Sequence, residues 1–131
     1  MRLSAHQSAA AVVCIVGLWP FVLLAAAYRS RYALVVMING LFFHVSKLVR
    51  SQLMYVAMIF DLVCNIFFAV VGNLVTPWQP QTLKLTLAST MCFLINCNYF
   101  AQSQPIVSAV LHVALTQCPL ALCLAVYVEA L

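Results

Sequence analysis

The chain has 131 residues, 66% of them hydrophobic and only 6% charged, with a formal net charge of +4 and a mean hydropathy of +1.10. A soluble domain carries roughly a quarter charged residues, so this chain lacks the polar surface for a soluble fold, a disordered segment or a nucleic-acid-binding module. Its solvent is the lipid bilayer, and its expected place is inside a membrane.

A membrane-spanning helix takes about 20 residues, and the apolar runs follow that length. The first covers 8–28, behind Arg2 and His6, and Arg29-Ser30-Arg31 closes it. Its basic start, apolar middle and Ala25-Ala26-Ala27 also fit a cleavable signal peptide. The length of the run and the arginine pair at its end favour a retained helix. The second run, 32–46, is short and is closed by Lys47 and Arg50. The third, 53–75, holds Asp61 and Asn65. Thr76-Pro77-Trp78-Gln79-Pro80-Gln81 then reads as a loop with an interfacial aromatic anchor. A fourth run covers 83–101, and Gln102-Ser103-Gln104-Pro105 turns into the fifth, 106–128, which reaches almost to the C-terminus, as a truncated product would. Pro20 and Pro119 fall inside runs and predict kinks. The period-2 alternation of a barrel strand is absent. The expected fold is therefore all-α, a single polytopic transmembrane helix bundle of about five spans.

With five spans, Arg2, Lys47 and Arg50 fall on the N-terminal side and Arg29, Arg31 and Lys84 on the other. This tie gives the positive-inside rule nothing to decide orientation with. The six cysteines, at 14, 64, 92, 97, 118 and 123, all lie in apolar runs without a CxxC pair. They read as small packing residues rather than as a disulfide framework or zinc knuckle.

Polar groups inside the runs carry the functional signal, because an ionisable side chain at membrane depth is costly and marks a site or a buried partner by default. Three qualify: His44, Asp61 and His112. Alternating spans place all three in the N-terminal-side half of the bilayer, together with Asn96, Asn98 and Gln102. The opposite half of the fourth run holds Lys84 at its edge and only Thr86, Ser89 and Thr90 as milder groups. Asp61 and Asn65, Cys92 and Asn96, and Ser108 and His112 are each four apart and share helix faces. Two readings compete for this cluster. One is interhelical hydrogen-bond glue, each contact contributing about 1 kcal/mol. The other is a metal or proton site, since two imidazoles and a carboxylate match the ligand count of catalytic zinc sites.

The stretch Gly40-Leu41-Phe42-Phe43-His44, followed by Phe60-Asp61, resembles the helix 2 and helix 3 pattern of the alkaline ceramidase and adiponectin-receptor-like membrane hydrolases. Ser108-Ala109-Val110-Leu111-His112-Val113 is similar to the final His-x3-His segment of that superfamily. The resemblance implies a zinc-dependent hydrolase of lipid amides, with His44 and His112 as metal ligands and Asp61 as a ligand or catalytic water partner. This sequence departs from the pattern in three ways. Gly40 stands at the family's serine, one histidine of the final pair is missing (Ser108 stands at the first if His112 is the second, Thr116 at the second if His112 is the first), and about five spans replace seven.

Three functional classes follow from these readings. The leading one is a small non-catalytic membrane component that binds a membrane-protein partner or a second copy of itself. The others are the zinc-dependent lipid hydrolase and a proton- or solute-conducting bundle using the same polar cluster.

Overall fold

A computed structural model describes residues 4–75 and 80–130. Arg2 and residues 76–79 of the expected Trp-centred loop lie outside the described residues, as does the side chain of Glu129. The described residues form five helices. Helix α1 comes in two parts, Ala5–Val16 and Trp19–Tyr28. Helices α2 (Arg31–Leu48), α3 (Met54–Val75) and α4 (Pro80–Tyr99) follow. Helix α5 is made of Pro105–His112, a π-helical turn Val113–Gln117, and Cys118–Ala130.

Three of the five are long and apolar enough to cross a membrane: Ala5–Tyr28, Met54–Leu74 and Pro105–Val126. The expected all-α architecture of five helices is present, and three of these helices, not all five, have the length and apolarity of a span. The other two helices are diluted by their own residues. Helix α2 is 18 residues long with Arg31 at its start and Lys47 in its last turn, and α4 carries Gln81, Lys84, Asn96 and Asn98.

Helix α1 is the centre of the bundle. Its buried positions, Ala10, Ala11, Cys14, Gly17, Leu18, Phe21 and Leu24, recur every three or four residues and form a continuous stripe. Most of the upper part of that stripe is small, which lets neighbouring backbones approach closely. The first part of α1 lies along the first part of α5, with Ala10 and Cys14 packed against Ala109. Its second part packs against α2 and the end of α5, where Leu18, Phe21 and Leu24 join Ala33, Val36, Ala121, Cys123 and Leu124. Helix α3 lies outside α2, and α4 lies outside α5. Contact between α3 and α4 is slight.

Local chemistry fixes the turns. Ser4 and Gln7 form a reciprocal capping box that starts α1. Arg29 ends α1 in the left-handed conformation, and Ser30 caps α2 by accepting from the Ala33 N–H at 3.2 Å. The two expected proline irregularities are present, each displaced N-terminally. Helix α1 breaks at Gly17-Leu18, ahead of Pro20, which sits in the first turn of the next segment, where its missing N–H is tolerated. In α5 the π-turn ends just before Pro119, so the helix is rewound before the ring arrives.

Candidate functional site

The packing of α1 brings α2 and α5 together on the face near the start of α5, and His44 and His112 meet there. Their ring centroids are 6.0 Å apart with an edge-on tilt of 65°. Phe93 of α4 lies 6.0 Å from His112, and Phe43 lies 4.9 Å from His44. His44 is buried, at 6% exposure. These contacts place α2, α4 and α5 around one aromatic and imidazole cluster.

Asp61 is set one turn along α2 from this cluster. Its Oδ1 lies 3.9 Å from the point where a Gly40 Cβ would stand, and Gly40 precedes His44 by four residues, or about 6 Å of helix. Asn65 stands four residues further along on the same face of α3. The glycine is needed here for close approach: a Cβ would also meet Leu18 Cδ2 at 3.0 Å. Gly40 thus occupies its position as a contact between α1, α2 and α3, the reverse of a catalytic serine.

Among the described residues, no group of three or more His, Cys, Asp or Glu side chains could hold a metal ion. The two histidines meet, but Asp61 is not joined to them as a third ligand. The residues present do not fit the zinc centre that the family pattern implies, and no step through a metal-bound water follows.

Several of the other polar groups are spent on helix contacts, while Asn39 Nδ2, Asn65 Oδ1 and Asn96 Oδ1 are buried without a hydrogen-bond partner. Asn96, buried in α4, donates from Nδ2 to the Ser108 carbonyl of α5 at 2.9 Å. Asn98 faces outward and donates to the Leu94 carbonyl of its own helix. A second seam lies at the other end of α4, in the half that the sequence marks as poor in polar groups. Asn73 of α3 donates to the Ala69 carbonyl at 2.7 Å and to Thr86 Oγ1 at 3.4 Å, and Thr82 Oγ1 donates to Asn73 Oδ1 at 3.4 Å. Thr86 Oγ1 also lies 3.7 Å from Cys123 Sγ of α5. Ser89 Oγ donates to the Thr116 carbonyl at 3.5 Å. Threonine and serine escape a search for ionisable residues, yet their four-residue spacing at 82, 86 and 90 marks a shared face. All six cysteines are free thiols, with Cys14 and Cys123 buried in the helix contacts.

No family model, no curated protein and no solved structure matches this chain.

Proposed function

We propose that the chain is a five-span integral membrane protein with a non-catalytic role, its polar residues serving to fix helix contacts for assembly in the bilayer. The observation that carries this reading is where the polar side chains spend their hydrogen bonds. Asn73, Thr82, Ser89 and Asn96 each bond across to a neighbouring helix, joining α3 to α4 and α4 to α5. Such bonds contribute about 1 kcal/mol each in lipid, which suits assembly. The nearly bare outer face of α3 presents Ile59, Phe60, Val63, Ile66, Phe67 and Val70 to its surroundings, as lipid contact requires. Helices α2 and α4, at 18 and 20 residues, extend about 27 and 30 Å, enough to match a bilayer core.

Topology mapping with single acceptor sites for glycosylation, or with single accessible cysteines, tests the five-span part. Sites at 29–31 and 76–79 should report one side of the membrane, and sites at 50–53 and 101–104 the other. Finding 29–31 and 50–53 on the same side would remove α2 as a span and overturn the reading.

A further inference from the structure

The polar seam between α3, α4 and α5 borders a groove. Between the first turns of α4 and the last turns of α5 lies an open cavity of about 400 Å³, lined by Gln81, Thr82, Leu85, Leu122, Cys123 and Val126. Its floor is made of two buried residues whose polar side-chain atoms are already engaged. Thr82 Oγ1 donates to Asn73 Oδ1, and Cys123 Sγ donates to the Thr82 carbonyl at 3.9 Å. The walls are the aliphatic side chains of Leu85, Leu122 and Val126. Leu85 also packs against the larger core, which holds α4 beside α5 at this level. A polar solute gains no new hydrogen bond from such walls and such a floor, whereas a hydrocarbon chain needs none.

The rim has the opposite chemistry. Gln81 is exposed in the first turn of α4, and Lys84, also exposed, stands three positions on, next to Leu85. A lysine stem lies along apolar surface while its ammonium stays at the polar level. The start of α4, a helix of 20 residues, adds a partial positive charge there. Arg29 and Arg31, both exposed, belong to the same end of the bundle, because α1 runs parallel to α5 and Leu24, Ala33 and Leu85 meet Leu124 in one core. Against these three basic residues the sequence sets one acid at this end, Glu129. A groove for hydrocarbon under a net basic rim is complementary to an amphiphile with an apolar chain and an anionic head. In a bilayer that amphiphile is an anionic phospholipid, and basic recesses between spanning helices hold such head groups.

We propose that the α4–α5 groove binds one anionic phospholipid, with an acyl chain against Leu85, Leu122 and Val126 and the phosphate at Lys84 and the Gln81 amide. The site rests on the reading of α4 and α5 as spans. Full-length protein is first reconstituted into phosphatidylcholine vesicles with and without phosphatidylglycerol, and alkali-resistant association with both establishes insertion. The inserted protein is then extracted into detergent and washed, and the lipid it retains is counted by mass spectrometry. Its thermal midpoint is followed as each lipid is added back. The expected result is one phosphatidylglycerol retained per chain and a midpoint raised by phosphatidylglycerol but not by phosphatidylcholine. Lys84→Gln should weaken retention about fivefold, the loss of one basic side chain near a charged lipid surface. Lys47→Gln, at the opposite end of the bundle, should leave it unchanged, and Val126→Trp, which fills the groove, should abolish it. Equal retention of the two lipids by an inserted chain overturns the site and leaves the five-span reading intact. Failure to insert into either vesicle overturns that reading and the site with it. Retention by Lys84→Gln or Val126→Trp as tight as wild type also overturns the site. Should Val126→Trp fail to fold, the exposed Lys84→Gln decides.

Discussion

Helices α1 and α3 are both long, apolar and free of charge over nearly their whole length, yet they have opposite places in the bundle. In the most apolar window of α1, 39% of residues are buried inside the protein; in that of α3, 11% are. Hydropathy does not separate them. What does is the distribution of small residues. On α1, Ala10, Ala11, Cys14 and Gly17 line one face and admit α5 and α2, whereas on α3 Ala57 is the one buried position among its described side chains. In lipid, apolar area gives no preference for protein over acyl chain, so close backbone approach decides which helix becomes the centre.

The comparison can be broken with a pair of matched truncations. Phe21, on α1, is 0% exposed and sits in the larger core, while Phe67, on α3, is 56% exposed. Phe21→Ala should destabilise the folded bundle by about 3–5 kcal/mol, and Phe67→Ala, outside any core, by about 0.5 kcal/mol or less. Equilibrium unfolding in mixed micelles measures both. Equal losses would mean that α3 is covered by protein in the folded state and that α1 is not the organising helix.

Overpacking sharpens the same contrast at lower amplitude. Gly17→Ala adds one methyl group against Val113 and Gln117 and should cost about 1–3 kcal/mol. The matched change on the outer face of α3, Val63→Ile, adds one methyl group to a side chain that is 57% exposed and should change stability by about 0.5 kcal/mol or less. The same unfolding measurement reads both, and a neutral Gly17→Ala would show that the α1–α5 approach is looser than its geometry.

Much of this architecture is legible in the sequence, and the limits have physical causes. The runs at 53–75 and 106–128 coincide closely with Met54–Val75 and the α5 segments, because hydropathy and the bounding Pro and Gln turns agree. The run at 8–28 becomes two segments because a proline tells where a helix is disturbed but not whether it bends or breaks. The pairing of His44 with His112 follows from alternating spans. Exclusion of Asp61 from that pair does not, since a four-residue offset along α2 depends on the α2–α3 register, which Gly40 sets. The Asn73–Thr82–Thr86 seam went unmarked because neutral amides and hydroxyls carry no charge penalty to draw attention to them.

The smallest expected effect concerns the one polar feature that gives α3 an inward direction. Asp61 lies against Gly40 and shares its helix face with Asn65, and no salt bridge to it is present among the described residues. An ionisable group at membrane depth is costly to keep, so replacing it with an amide of the same shape removes a cost and preserves the packing against Gly40. Asp61→Asn should therefore change stability by less than about 1 kcal/mol, the size of one interhelical polar contact, and Asp61→Leu should lose about that contact. The comparison distinguishes glue from chemistry, because a proton carrier would behave in the opposite sense. If wild-type protein in vesicles passes protons and Asp61→Asn abolishes the flux while remaining folded, Asp61 is a working residue. In that case α3, peripheral in its packing, is the functional helix of the bundle, with α1 as its scaffold.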